Sequence, residues 1–173
     1  NVELELKIKL DEDEWNKLQE FIKSNSTYLG DENHSAVYYY PEHRELESEW
    51  LRVRNQNGIF VLNYKKWVDI NYCEEYETII DNPDKIKKIL FSMGFKKLGV
   101  IDKVRIGYLY EDKYKISFDN VKDIGLFMEI EVKKPTMSHA DECAELMNLL
   151  NKFNIDVSKV ETKRYPDYLK KDE

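Results

Sequence analysis

Charged side chains of both signs alternate with apolar ones in the segment VELELKIKL at residues 2–10. A period of two is typical of a β-strand, because successive side chains leave the backbone on opposite faces. Glu3, Glu5, Lys7 and Lys9 are therefore expected to share one face of a strand. Two carboxylates on one face are suitable ligands for Mg²⁺ or Mn²⁺, and basic side chains nearby can bind phosphate oxygens.

The same alternation recurs in later segments, whose opposite faces are apolar or aromatic. Carboxylate pairs return at Glu75 and Glu77 and at Glu129 and Glu131. The other charged or polar side chains on such faces are Arg52, Arg54, Asn63, Lys65, Lys103, Arg105, Lys113, Lys115, Ser117, Asp119 and Lys133. Carboxylates for a metal together with bases for phosphate predict a polyphosphate site, provided that these faces meet inside a barrel.

Two arrangements of strands can carry these faces. In a closed barrel the charged faces line the lumen, where charges removed from water are costly unless they are paired or used. In an open sheet the charged face is exposed to water and crossed by salt bridges, and no function is needed to explain it. The density of charges of both signs favours the lumen and a functional role.

Eight strands and three helices are predicted to position these side chains. The strand candidates are residues 2–10, 36–40, 49–55, 58–67, 73–80, 100–110, 113–119 and 126–134. Three helices are indicated by apolar residues at helical spacing after the capping residues Asp11, Asn82 and Ser138. Because most strands are consecutive, the pattern favours an α+β fold of mainly antiparallel β structure, with the helices packed outside a barrel or a strongly curved sheet.

Length and composition limit the classes of function. With 173 residues and a 42% hydrophobic share, the chain is expected to fold as a single domain over residues 1–173. The net charge of −7 argues against nucleic acid as a partner. Cys73 and Cys143 match no disulfide or zinc spacing, and no apolar run is long enough for a membrane span, which favours a cytoplasmic protein. The three histidines, His34 among them, are predicted to lie at the surface.

Seven short blocks of the chain together resemble a known family. In chain order they are ELELK, LRVR, LNYKK, EYE, DKVR, SFDNVKDIGLFMEIE and KRY. These blocks are similar to those of the CYTH superfamily, or triphosphate tunnel metalloenzymes, which includes class IV adenylyl cyclases, thiamine triphosphatases, inorganic tripolyphosphatases and fungal RNA triphosphatases. The resemblance implies an eight-stranded antiparallel tunnel, a divalent metal (Mg²⁺ or Mn²⁺) held by glutamates, and basic residues that bind a triphosphate.

The resemblance assigns roles position by position. The implied metal ligands are Glu3, Glu5, Glu129 and Glu131, with Asp119 as a further carboxylate. The implied substrate-binding residues are Lys7, Lys9, Arg52, Arg54, Lys65, Glu75, Glu77, Lys103, Arg105, Lys163 and Arg164. Glu5, Lys7 and Glu129 are the candidate catalytic residues. Val37, Cys73 and Arg164 depart from the family pattern, which leaves the substrate open.

The resemblance allows three functions. It is closest to class IV adenylyl cyclases, which form cyclic AMP and pyrophosphate from ATP. A triphosphate hydrolase of the thiamine triphosphatase or tripolyphosphatase type is the alternative, because both reactions use the same residues to hold the triphosphate. A non-catalytic binder of polyphosphate or nucleotide is the third, and the intact glutamates argue against it. The expected partner is a small triphosphate (ATP, thiamine triphosphate or tripolyphosphate), with no nucleic acid and no membrane, and a homodimer is compatible with the family.

Overall fold

The computed structural model describes residues 2–44 and 48–169, which form eight strands, three α-helices and two short 3₁₀ helices. The strands are β1 Val2–Leu10, β2 Ser26–Pro41, β3 Glu49–Gln56, β4 Ile59–Trp67, β5 Tyr72–Ile79, β6 Phe95–Tyr110, β7 Tyr114–Val121 and β8 Gly125–Val132. They close into an antiparallel barrel in the order β1-β5-β4-β3-β2-β6-β7-β8. The predicted barrel is confirmed, and the open sheet is wrong.

The helices begin where the sequence predicts. They are α1 Glu12–Asn25, α2 Pro83–Ser92 and α3 His139–Lys152, and the 3₁₀ helices are Val157–Lys159 and Tyr165–Leu169. Asp11 accepts a hydrogen bond of 2.9 Å from the backbone N–H of Glu14, whose carboxylate accepts one of 3.1 Å from the backbone N–H of Asp11. This capping box satisfies two N–H groups at the start of α1. No helix in the described part of the chain has the length and apolar composition to cross a membrane.

The apolar faces of β1, β7 and β8 point outward and are covered by helices. Ile8, Ile116 and Ile130, on β1, β7 and β8, are fully buried in one cluster with Ile22 of α1 and Leu146 of α3. Full burial of one aliphatic side chain contributes about 1.5–3 kcal/mol. Because helices cover the outside of these strands, the charged faces of the same strands are turned into the lumen.

Two strands are longer than the sequence predicts. β2 begins at Ser26 and β6 at Phe95, whereas the predicted starts were residues 36 and 100. These strands pair with each other from Ser26 opposite Tyr110 to Pro41 opposite Phe95. The segment STYLGDENHS shows no apolar alternation because most of its side chains are exposed or half-buried. Backbone pairing with β6, rather than burial of an apolar face, therefore specifies this part of β2.

Tight turns set the registers of neighbouring strands. The hairpin predicted at Asn57 and Gly58 is confirmed, with φ values of 49° and 90° that are typical of a type I′ turn. Glu111 and Asp112 connect β6 to β7 with φ values of 51° and 52°. Since a shift of one residue would turn every side chain of a strand to the other face, these turns keep the charged faces aligned in the lumen.

Candidate active site

The inward faces of all eight strands line one cavity of about 230 Å³. The predicted site residues that line it are Glu3, Glu5, Lys7, Arg52, Arg54, Lys65, Glu75, Glu77, Lys103, Arg105, Glu129 and Glu131. With the further residues described below, eight basic and seven acidic side chains share this enclosed space. The barrel thus brings together charges that the sequence aligns only strand by strand.

One group of carboxylates is built around Lys65. Its ammonium lies 2.8 Å from the carboxylate of Glu3 and 3.0 Å from that of Glu5. Glu5 also lies opposite Glu131 in the register of β1 and β8. Burial raises the pKa of Glu3 and of Glu5, Lys65 opposes that rise, and neighbouring carboxylates add to it. This crowding of acids favours an additional cation.

A second group is centred on Asp119, which is fully buried. Its carboxylate accepts two hydrogen bonds of 2.6 Å from Arg105, one of 2.6 Å from Lys103 and one of 2.8 Å from the Tyr165 hydroxyl. Burial alone would raise the pKa of Asp119, but Arg105 and Lys103 hold it below its usual value. Asp119 therefore fixes the positions of two basic side chains and is not among the residues that line the cavity.

The two arginines of β3 have different partners. Arg52 donates hydrogen bonds to neutral groups, 2.8 Å to the side-chain oxygen of Asn63 and 3.1 Å to the hydroxyl of Tyr38. Arg54 forms an ion pair of 2.8 Å with Glu77. Burial, followed by repulsion from Arg52, lowers the pKa of Arg54 to about 10. The positive charges of Arg52 and Arg54 therefore repel each other, and an anion bound between them would relieve that repulsion.

Three bases of the cavity are available to a ligand. Lys7, Arg52 and Lys115 form no ion pair with a carboxylate of the described residues. The ammonium of Lys7 lies 4.2 Å from the centre of the Tyr165 ring. Burial lowers the pKa of Lys7, although nearby carboxylates oppose that change. A phosphate group placed among these side chains would gain charge-assisted hydrogen bonds without breaking an ion pair.

Carboxylate oxygens are the donors that the cavity offers to a metal. Across residues 2–44 and 48–169, no three His, Cys, Asp or Glu side chains are grouped closely enough to hold an ion as they stand. Glu3 and Glu5 pair with Lys65, and Glu129 pairs with Arg105. Crowded hard oxygen donors nevertheless fit Mg²⁺ or Mn²⁺. Binding such an ion requires the paired basic side chains to move aside.

Aromatic side chains fill one end of the lumen. The ring centres of Trp50 and Trp67 are 6.1 Å apart, and Tyr38 packs against Trp50 at 5.9 Å. Phe127 packs at 5.4 Å against Tyr165 of the C-terminal 3₁₀ helix. All five side chains are at most 8% exposed. These buried aromatic side chains therefore close the lumen at this end.

Three predicted substrate-binding residues lie outside the cavity lining. Lys9 and Lys163 are exposed, and each ammonium lies 5.7 Å from the centre of the Tyr168 ring. The guanidinium of Arg164 lies 4.4 Å from the centre of the Trp67 ring. Lys9 keeps the inward parity of β1 but lies at the end that the aromatic side chains fill. The tail residues lie on the far side of the same aromatic group.

Several lining residues were not assigned a role from the sequence. They are Glu32, His34, Trp50, Gln56, Trp67 and Tyr165, whereas the alternation of charges already places Lys115, Ser117 and Lys133 on the inward faces. The prediction of a surface position for His34 is wrong, because it is 5% exposed and its Nε2 lies 2.9 Å from the carboxylate of Glu32. Extending the alternation of β2 backward from Tyr38 would have placed both residues inside.

Comparisons with known proteins agree with this architecture. The CYTH domain family matches residues 1–165. A Methanocaldococcus jannaschii protein named "Putative adenylate cyclase MJ0240" is 30% identical over 171 residues, which cover 95% of this chain and 96% of that protein. The solved PH1819 protein of Pyrococcus horikoshii is 28% identical with a TM-score of 0.82, covering 96% of this chain and 97% of that one. The HpAC1 protein of Hippeastrum, described as having a dominant triphosphatase activity, shares the fold at 18% identity and a TM-score of 0.66, over 94% and 90% of the two chains.

Proposed function

The chain belongs to the CYTH family, and we propose that it binds ATP with Mg²⁺ or Mn²⁺ in its lumen and forms cyclic AMP and pyrophosphate. The observation that carries the proposal is the enclosure of eight basic and seven acidic side chains in one cavity with a closed end. The Methanocaldococcus jannaschii relative, 96% of which aligns with this chain, is named "Putative adenylate cyclase MJ0240", and that name supports this reaction over others.

The basic side chains are proposed to hold the phosphate chain. Lys7, Arg52 and Lys115 have no carboxylate partner within residues 2–44 and 48–169, and Arg54 and Arg105 present further N–H groups. Arg side chains can bind two phosphate oxygens at once, whereas a lysine acts as a point charge. In a cyclase these groups would take up the negative charge that develops on the departing pyrophosphate.

The proposed metal ligands are Glu3, Glu5, Glu129 and Glu131. A bound Mg²⁺ or Mn²⁺ would supply charge neutralisation at the phosphates and lower the pKa of a hydroxyl group held beside it. Among the chain's own residues, Lys65 and Arg105 keep the carboxylates in position until substrate arrives. The closed barrel keeps bulk water away from the reacting phosphorus.

A protein nucleophile is not part of the proposal. Cys73 is the thiol nearest to the lumen, on the inward face of β5, and it is fully buried. Burial raises its pKa to about 12, so that it remains a protonated thiol at neutral pH. The substrate's own 3′-hydroxyl is therefore the nucleophile in the cyclase reaction.

A triphosphate hydrolase is the second candidate. The fold that this chain shares with the Hippeastrum protein hosts a triphosphatase activity there. The same bases would hold the triphosphate, and a water molecule in place of the 3′-hydroxyl would attack a phosphorus atom. The two reactions differ in the position of the phosphate chain relative to the carboxylates.

Product analysis tests the proposal. The protein is incubated with ATP, tripolyphosphate and thiamine triphosphate, in Mg²⁺ and in Mn²⁺, and the products are identified. Cyclic AMP with pyrophosphate is the expected result from ATP. Orthophosphate with ADP or pyrophosphate would replace the cyclase by the hydrolase, and binding without turnover would overturn both.

Two substitutions test the metal assignment. Glu5→Gln and Glu129→Gln are expected to lower turnover by more than about 100-fold, since even the outer partners of metal ligands typically contribute 10–100-fold. The matched control is Glu74→Gln, because Glu74 precedes Glu75 on β5 and points to the opposite face. Wild-type turnover from either lumen variant would contradict the assignment.

A further inference from the structure

The C-terminal segment of the chain returns to β1 and places one aromatic side chain in the lumen. The backbone N–H of Glu161 donates a hydrogen bond of 2.8 Å to the carbonyl of Lys7, and a β-bridge joins Val160 to Ile8. The second 3₁₀ helix follows, and its first residue, Tyr165, is 4% exposed and borders the charged cavity. The segment that contacts the backbone of Lys7 therefore also brings an aromatic ring to the Lys7 side chain.

The Tyr165 side chain is held on several sides. Its hydroxyl donates a hydrogen bond of 2.8 Å to the buried carboxylate of Asp119, and its ring packs edge to face against Phe127 with the ring centres 5.4 Å apart. The backbone N–H of Asp167 donates a hydrogen bond of 2.9 Å to the carbonyl of Arg164, whose own N–H donates one of 2.8 Å to the Asp167 carboxylate. A ring fixed at its tip, its face and its backbone can hold a flexible neighbour in place.

Lys7 is the flexible neighbour. Its ammonium lies 4.2 Å from the centre of the Tyr165 ring, within the range of a cation–π contact. Glu129 lies opposite Lys7 in the register of β1 and β8, Glu5 precedes Lys7 by two residues on the same face, and both carboxylates attract the ammonium. Lys7 nevertheless forms no ion pair with any carboxylate that the structure describes. Since a long lysine stem can turn towards either acid, the ring is the contact that keeps the ammonium apart from them.

We propose that Tyr165 is a positioning residue, whose ring holds the Lys7 ammonium away from the neighbouring carboxylates and presents it to a phosphate group. This inference rests on the proposed triphosphate site and makes the C-terminal segment a part of that site. Lys103 depends less on the ring, which lies 4.8 Å from its ammonium, because Asp119 already holds that ammonium at 2.6 Å. Without the ring, Lys7 would pair with Glu129, and a phosphate-binding base and a proposed metal ligand would occupy each other.

The first test separates the ring of Tyr165 from its hydroxyl. Calorimetric titration with inorganic tripolyphosphate, without metal, compares the wild type with Tyr165→Leu, which loses the ring, and Tyr165→Phe, which keeps it. Tyr165→Leu is expected to bind about tenfold more weakly, the effect of a desolvated cation–π contact, and Tyr165→Phe to recover most of that loss. Equal losses in both variants, or no loss in Tyr165→Leu, would overturn the positioning role and leave the triphosphate site intact. Failure of the wild type to bind would overturn both proposals.

The matched control for this test is Tyr168→Leu. Tyr168 belongs to the same 3₁₀ helix and lies 5.7 Å from the ammonium of Lys163, but it does not line the cavity. Its substitution is expected to leave the affinity for tripolyphosphate unchanged. A loss as large as that of Tyr165→Leu would mean that any disturbance of the tail weakens binding, and it would overturn the specific role of Tyr165.

A double-mutant cycle tests whether the ring acts through Lys7. Lys7→Gln alone is expected to lower the affinity for tripolyphosphate about tenfold. If Tyr165 only places Lys7, adding Tyr165→Leu to Lys7→Gln should cause no further loss. Losses that multiply to about 100-fold would show independent contributions and overturn the proposal.

A measurement on the wild type needs no change to Tyr165 and decides the question even where Tyr165→Leu does not fold. A proton above the face of an aromatic ring is shielded by the ring current, so the Hε resonance of Lys7 is expected upfield of an ordinary lysine in NMR spectra of the ligand-free protein. The resonance is assigned by its absence from Lys7→Gln, and the shift should persist in Tyr165→Phe. An ordinary Hε position in the wild type would overturn the contact.

Discussion

Replacing Asp119 by Asn tests whether this residue is a structural anchor. The substitution keeps the shape of the side chain and removes its charge, so Arg105 and Lys103 lose their common counter-ion inside the barrel. Removing one partner of a buried ion pair typically costs about 3–5 kcal/mol. We therefore expect Asp119→Asn to lower the free energy of unfolding by about 3–5 kcal/mol in protein that contains no metal.

Urea denaturation followed by circular dichroism measures this change. With an m-value of about 2 kcal/mol/M, the midpoint is expected to fall by about 2 M. Asp102→Asn is the matched control, because Asp102 lies on the neighbouring strand β6 with an exposed side chain, and it is expected to shift the midpoint little. A loss below about 1 kcal/mol for Asp119→Asn would refute the anchoring role, since that is the range of a surface ion pair.

Three further predictions concern other parts of the molecule. Burial lowers the pKa of His34 to about 4, and a hydrogen bond from His34 lowers that of Glu32 to about 2. The stability that the neutral His34 contributes is fully present above pH 6.5 and should be lost as the pH falls towards 4, whereas the contribution of Glu32 is present above pH 4.5 and should be lost as the pH falls towards 2. His34→Asn should remove about 2–3 kcal/mol of the pH dependence between pH 6.5 and 4 in urea titrations. Glu142→Gln should lower the free energy of unfolding by about 3 kcal/mol in thermal denaturation, because the buried carboxylate pairs with Lys113 at 2.7 Å and accepts two backbone hydrogen bonds. The control Glu145→Gln, at an exposed position of the same helix, should change it little. Gly58→Ala should lower stability by about 1 kcal/mol, because its φ of 90° disfavours a side chain, and an unchanged midpoint would contradict the type I′ turn.

The fold was largely predictable because the alternation of charged and apolar residues survives in the strands that helices cover. Each such strand has one face that must be apolar and one that need not be, and Glu3, Arg52 and Glu129 fall on the second. The long N-terminal part of β2 was not predictable in this way. Its outer face is exposed, so no apolar residues mark it, and the inward His34 was missed with it.

The alternation pattern also does not give the position of a residue along the barrel axis. Parity places Lys9, Trp50 and Trp67 on inward faces, and it cannot say where the lumen is open and where it is filled. Lys113 illustrates the same limit, since it shares the parity of Lys115 but lies at the turn before β7 and pairs with Glu142 of α3. Depth depends on the registers of strands far apart in the chain, which a single sequence does not reveal.

Binding of inorganic tripolyphosphate, measured by calorimetry without nucleotide, tests the central claim that the lumen grips a triphosphate. Lys7→Gln removes an inward base that pairs with no carboxylate in the part of the chain that the structure describes. Lys66→Gln removes an exposed lysine next to Lys65 on the outer face of β4. We predict binding by the wild type, unchanged binding by Lys66→Gln, and affinity at least about tenfold lower for Lys7→Gln, the effect of losing one hydrogen bond to a charged group. Absence of binding, or equal affinities for all three proteins, would contradict the account.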